Sequence, residues 1–207
     1  MKRTPLDLFG ASIDPAPVVG ADLDAVYTMD TLADLCVERV VAGCPELPIG
    51  CDVVEPSVGG GAFARSLRKR LPCSRLIGVD VDPDANGHDV VDWSIVADVV
   101  EWSTARAVRP GLIIGNPPFS DAIAHVEALL RMLPMRLALI LPSDRAGRQG
   151  WRSLLYGEPV EGMRLLCIDP IFPRPWPHLV REVSLYVWGE SEPVARTIGD
   201  PIDWRNA

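Results

Sequence analysis

The segment from residue 51 to residue 71 limits the fold more than any other part of the chain. Cys51-Asp52-Val53-Val54-Glu55 is a short apolar run that ends in a carboxylate. It meets Pro56-Ser57-Val58-Gly59-Gly60-Gly61, which continues neither a strand nor a helix. Phe63, Leu67 and Leu71 then recur at helical spacing, with Arg65, Arg68 and Lys69 off that face. A buried strand, a glycine turn and a helix in direct succession form half of a parallel βαβ unit. Parallel neighbours need such a crossover, because a tight hairpin can join only antiparallel strands.

The unit recurs along the chain. Leu76 to Asp82 reads as a second strand, ended by Pro83. A weaker strand is expected near Ile95 to Val100. Gly111 to Gly115 is a further apolar strand and runs into Asn116-Pro117-Pro118-Phe119. Ser120 then caps an amphipathic helix with Ala122, Val126, Leu129, Leu130 and Leu133 inward, and Glu127 paired with Arg131 one turn on. Arg136 to Leu141 is another strand. Upstream, Thr31 caps a helix carrying Leu32, Leu35, Cys36 and Val40, closed by Gly43 and Pro45.

This alternation predicts a single α/β, Rossmann-like domain. Its sheet is mostly parallel, has helices on both faces and uses right-handed crossovers. The end of the chain breaks the pattern. Met163 to Ile168 and Val183 to Val187 read as strands with no helix between them, so they predict an antiparallel C-terminal hairpin at one sheet edge. The domain is expected over residues 26–190. An irregular, proline-bearing segment precedes it over 1–25, and a tail follows over 191–207.

Composition narrows the class. No apolar run reaches the roughly 18 residues of a membrane span, and residues 1–14 lack the apolar core of a secretory signal. Five cysteines, an odd number with no C-x-x-C pair, argue against a disulfide framework and a structural zinc site. Reduced thiols in a cytoplasmic protein are the simplest reading. The three histidines show no ligand spacing, so no metal is expected. The net charge of −8 is unlike a dedicated nucleic-acid-binding module, so action on DNA or RNA needs a local basic patch or a partner. The basic run Arg68-Lys69-Arg70 reads as a solvated helix face rather than a phosphate contact.

Ligands of open α/β sheets bind beyond the carboxyl ends of the strands, where two unusual loops fall. Gly59-x-Gly61-x-x-Ala64 fits the dinucleotide pattern, with Asp80 about 20 residues on. A nicotinamide-linked oxidoreductase is therefore one reading. Glu55 fits it poorly, since it sets a carboxylate where a pyrophosphate-binding loop would begin. That carboxylate suits a ligand with positive charge or hydrogen-bond donors, such as S-adenosylmethionine, and Asp80 is placed to accept from two ribose hydroxyls. In Asn116-Pro117-Pro118-Phe119 the prolines stiffen the loop. The Asn116 side-chain carbonyl and a neighbouring backbone carbonyl can together accept both hydrogens of an exocyclic amine. That localises the amine's lone pair and aims it at an electrophilic methyl. Phe119 offers a face for ring stacking.

At these residues the chain resembles a known family. The segment from Val54 through Glu55, Ser57, Gly59 and Gly61 to Phe63 resembles the first motif of the S-adenosylmethionine-dependent amino-methyltransferases. Asn116-Pro117-Pro118-Phe119 resembles their catalytic motif. The order, cofactor loop first, is that of the N6-adenine DNA methyltransferases of the gamma arrangement, and Arg174-Pro175 through Ser184 to Trp188 resembles the closing hairpin of small phage-type members.

The resemblance implies that Tyr27 and Thr28 touch the methionine end of the cofactor. Glu55, Ser57, Gly59, Gly61 and Phe63 would form its loop, and Asp80 would hold the ribose. Asp98 would meet the cofactor adenine, with Asp92 a competitor for that role. Asn116, Pro117, Pro118 and Phe119 would hold the target amine. Adenine N6 in DNA is the leading acceptor. RNA adenine, a protein glutamine amide, and a catalytically silent nucleic-acid-binding subunit are alternatives. Pro72-Cys73 has the dipeptide of cytosine-C5 enzymes but falls on the wrong side of the sheet, so Cys73 reads as packing. The residues after Leu141 leave no length for a separate recognition domain, so weak sequence preference or a recognition partner is expected. The segment Phe172 to Trp176 is a candidate for holding a flipped base.

Overall fold

The computed structural model describes residues 27–72, 74–104, 109–144, 150–157, 160, 162–176, 181–190 and 197–205. Helix α1 spans Asp30–Ala42. Strand β1, Asp52–Glu55, leads into helix α2, Ala62–Arg70. Strand β2 is Arg75–Asp80, a 3₁₀ turn covers Asn86–Val90, and strand β3 is Trp93–Val96. Helix α3 (Val99–Thr104), strand β4 (Leu112–Gly115), helix α4 (Ala122–Leu130) and strand β5 (Arg136–Pro142) follow. Helix α5 is Trp151–Tyr156. Strands β6 (Met163–Phe172), β7 (Val183–Glu190), β8 (Thr197–Ile198) and β9 (Ile202–Asp203) complete the described elements.

The strands lie in the order β3-β2-β1-β4-β5-β7-β6-β8, with β9 also pairing β6. Neighbours from β3 through β5 are parallel. β7 runs antiparallel to both β5 and β6, which is the hairpin the sequence predicts. Successive strand side chains divide between two cores, as the period of two requires. Val53, Leu112, Ile114, Ala138 and Ile140 pack with α1 and α2. Val54, Ile113, Leu137, Leu139 and Leu141 pack with α3, α4 and α5. Burial on both faces is why these strands read as continuous apolar runs.

Several local expectations are corrected. The strand expected over Ile95 to Val100 stops at Val96, and Asp98 starts helix α3 by accepting from Val100 N–H (2.7 Å) and Glu101 N–H (3.3 Å). Thr31 lies inside α1 rather than at its cap, and Ser120 precedes the cap position Asp121 and donates to its carboxylate. Leu133 is not an inward residue of α4. It sits beyond the helix with φ of 51° and is 36% exposed. Residues 197–205, read as part of a tail, add β8 and β9 to the sheet, and Ile202 is buried in the core beside α1. Residues 1–25 and Cys73 lie outside the described residues.

The basic run on α2 is tied to acidic groups. Lys69 meets Asp34 at 2.9 Å, Arg70 meets Glu38 at 2.8 Å and Arg68 meets Asp92 at 2.6 Å. These solvent-screened pairs contribute at most about 1 kcal/mol each, and they leave the run as the charged outer face that its spacing suggests.

Candidate active site

Both unusual loops leave the carboxyl ends of adjacent parallel strands, β1 and β4. Their backbones approach closely enough that a Cβ on Gly115 would lie 3.0 Å from the Pro56 ring. Between them and the end of β2 opens a pocket of about 400 Å³, within the usual range for small-molecule sites. Tyr27, Thr28, Glu55, Ser57, Gly59, Gly61, Phe63, Asp80, Asp98, Asn116, Pro117, Pro118 and Phe119 line it, whereas the candidates Asp92 and Phe172 to Trp176 do not.

The glycine loop is shaped by contacts that no side chain would allow. Gly59 and Gly61 have φ of 42° and 77°, in the left-handed region open to glycine. A Cβ on Gly61 would lie 2.8 Å from the Gly87 Cα, and one on Gly59 would lie 3.1 Å from the Tyr27 ring. Gly87 N–H donates to the Gly59 carbonyl at 2.8 Å. Asp80 fastens the loop from the next strand. Its Oδ2 accepts from Gly59 N–H at 2.8 Å and its Oδ1 from Asp82 N–H at 3.0 Å. Each carboxylate oxygen keeps further lone-pair capacity for a ligand. Arg65 donates to the Gly60 carbonyl at 2.7 Å and pairs with Asp30, so α1 also braces the loop.

Glu55 is the electrostatic centre of the site. It is 2% exposed, and its Oε2 has no hydrogen-bond partner. Burial pushes its carboxyl well above the ordinary glutamate range, and the Asp80 carboxylate adds to the rise. The Ala64 backbone N–H and the Arg65 guanidinium oppose it without cancelling it. An unsatisfied buried carboxylate is costly, and a ligand that donates to it or brings positive charge removes that cost.

Asp92 and Asp98 separate clearly. Asp92 does not line the pocket; it accepts from Leu76 N–H at 2.8 Å and pairs with Arg68, whose guanidinium holds its carboxyl below the usual range. Asp98 lines the pocket beside Ala97 and Val99.

The segment Phe172 to Trp176 is divided. Trp176 is 1% exposed and packs edge-on against Phe119, with ring centroids 6.2 Å apart, so it cannot itself stack on a base. Phe172 is 65% exposed.

Sequence reasoning missed several lining or shaping groups. Gly87 belongs to an Asn-Gly pair that signals a turn, but only its packing against Gly59 and Gly61 gives it a place at the site. Val81, Asp121 and His125 also line the pocket. His125 Nδ1 lies 3.0 Å from the Asp121 backbone carbonyl, which can only accept, so Nδ1 carries the proton in that contact.

No protein-family model matches the chain. It is 35% identical over 115 residues to the type II methyltransferase M.TthHB8I of Thermus thermophilus, a match covering 54% of this chain and 24% of that protein. Over 75 residues it is 36% identical to the type II methyltransferase M.CvrRI of Paramecium bursaria Chlorella virus XZ-6E, covering 33% and 18% of the two chains. The chain thus spans under a quarter of the length of these curated relatives. Among solved structures, a type I restriction-modification system methyltransferase subunit from Streptococcus thermophilus superposes with a TM-score of 0.63 at 12% identity, over 81% of this chain and 45% of the other. A predicted O-methyltransferase from Agrobacterium tumefaciens superposes at 0.55 and 14% identity, over 84% and 86%. The chain has the fold of the S-adenosylmethionine-dependent methyltransferases, and in sequence it is similar to type II methyltransferases.

Proposed function

We propose that this chain carries the catalytic core of an S-adenosylmethionine-dependent N-methyltransferase, with N6 of adenine in DNA as the leading acceptor. One observation carries the reading: the buried Glu55 carboxylate with its glycine loop, and the Asn116–Phe119 loop, line one pocket from adjacent strands. The similarity to two type II methyltransferases points the same way.

The residues present fit the cofactor. Glu55 offers an unsatisfied acceptor to an ammonium group. The glycines at 59 and 61 leave backbone where side chains would otherwise fill the loop. Asp80 retains lone pairs for ribose hydroxyls, and Asp98 with Val99 forms the wall assigned to the adenine. Tyr27 and Thr28 border the methionine end. A dinucleotide is disfavoured, because its anionic pyrophosphate, unlike an ammonium group, has no donor to offer the unpartnered Glu55 Oε2.

S-adenosylmethionine, when bound, supplies a methyl group activated by a sulfonium. The chain's own work is placement and polarisation. Asn116 accepts hydrogens of the target amine, helping to free its lone pair from the ring. Pro117 and Pro118 keep that acceptor in place, so little reorganisation is needed during reaction. Phe119 stacks on the acceptor ring and fixes the approach angle, which supplies the proximity term. In a duplex the adenine must first be flipped out. Given the net charge of −8, we assign much of the DNA affinity and target recognition to a partner or to protein outside this chain. No helix among the described residues is long and apolar enough to cross a membrane.

The test is transfer of a radiolabelled methyl to duplex DNA, single-stranded DNA, RNA and protein. Label in N6-methyladenine of DNA is the expected result. Label in RNA or in a glutamine amide would reassign the acceptor. Absence of transfer with intact cofactor binding would leave a silent binding subunit.

A further inference from the structure

Trp176 reaches the site from an element that neither loop belongs to. It follows the end of β6 and is 1% exposed. Its indole Nε1–H donates to the Tyr27 backbone carbonyl at 3.0 Å. Its ring meets Phe119 edge-on, with centroids 6.2 Å apart and planes at 70°. The Tyr27 ring in turn lies against the glycine loop, 3.1 Å from where a Cβ on Gly59 would stand. One rigid indole therefore touches the Tyr27 backbone through its Nε1–H and the Phe119 ring through an edge-on contact. The segment that carries it is itself pinned, since Trp204 Nε1–H donates to the Pro173 carbonyl at 2.7 Å.

We propose that Trp176 is a positioning residue that couples cofactor binding to acceptor placement. The proposal rests on the methyltransferase reading above. A cofactor in the pocket that Tyr27 and the glycine loop line together fixes the Tyr27 backbone, which fixes the indole, which holds the Phe119 ring at the angle that stacks the acceptor. Coupling of this kind is reciprocal, so the acceptor must tighten the cofactor by the same factor. A residue that merely fills the core would lower stability and leave that factor alone.

Trp176→Phe keeps an aromatic ring near Phe119 and removes the donor to Tyr27. The measurement is calorimetric affinity for S-adenosylhomocysteine, with and without a saturating adenine-containing oligonucleotide. In the parent protein the oligonucleotide should tighten binding by about fivefold or more. In Trp176→Phe, affinity without oligonucleotide should fall about three- to tenfold, as for one lost hydrogen bond, and the coupling factor should drop toward one. Phe119→Leu supplies a second route that leaves the Tyr27 bond intact. In it the coupling should be lost although the indole still donates to the Tyr27 carbonyl. A parent coupling factor of one, or an unchanged factor in both variants, overturns the proposal. Failure of the parent protein to bind S-adenosylhomocysteine at all refutes the cofactor reading, and the proposal with it.

Discussion

Replacing Glu55 by Gln separates the cost of burying a charge from the use made of it. The carboxyl is 2% exposed with an unpartnered Oε2, and burial holds it well above the ordinary glutamate range. The folded protein therefore keeps a proton that the unfolded chain has released. By linkage, the parent's stability falls as pH rises from the ordinary glutamate value toward the raised folded one. Glu55→Gln cannot titrate, so its stability lacks that decline, and the variant should be the more stable protein near neutral pH. Cofactor binding should move the other way. A charge-assisted hydrogen bond contributes about 1.5–3 kcal/mol, so losing the carboxylate should weaken S-adenosylmethionine about 10- to 150-fold. Urea melts from about pH 5 to about pH 8, together with calorimetry on both proteins, provide the assay. A variant that binds the cofactor as tightly as the parent would show that Glu55 is not its carboxylate partner. A variant less stable than the parent at high pH would refute the account of its burial.

Asn116→Ala should leave cofactor affinity near the parent value and lower single-turnover methyl transfer on the order of 100-fold; transfer at the parent rate would remove this loop from the catalytic site. Gly61→Ala should destabilise the fold by about 1–3 kcal/mol, seen as a lower Tm, because φ is 77° and the new Cβ would meet the Gly87 backbone at 2.8 Å, which no rotamer change relieves. Asp98→Ala should weaken S-adenosylmethionine in calorimetry, whereas Asp92→Ala should cost about 1 kcal/mol or less of stability and leave cofactor affinity unchanged; the reverse pattern would exchange their assignments.

Parallel strands buried on both faces had to be apolar throughout, so β1, β2, β4 and β5 were legible as runs that stop at a carboxylate, an asparagine or a proline. Both site loops were legible for a related reason. Three glycines and two prolines impose backbone behaviour that depends little on distant neighbours. Edges were harder. β3 is an exposed strand of four residues, so its pattern carried little signal and ran on into α3. Helix α5, only six residues long, gave too few turns for a period to emerge. The caps at Thr31 and Ser120 failed because neither helix uses a side-chain cap at its first turn.

By itself the sequence determined the alternation of strand and helix, the parallel sheet with its closing hairpin, and the two loops that face one pocket. Those follow from local periodicity and from the conformational limits of Gly and Pro, which act over a few residues. Only the tertiary structure decided which aspartate belongs to the pocket, since Asp92 and Asp98 differ in neighbours rather than in local sequence. Folding alone left Glu55 buried and unsatisfied, because burial depends on every element packed around it. Trp176 was likewise placed between Tyr27 and Phe119 by a contact spanning 149 residues. No periodicity encodes such a contact, because it exists only after the sheet has brought its last strands back beside its first loop.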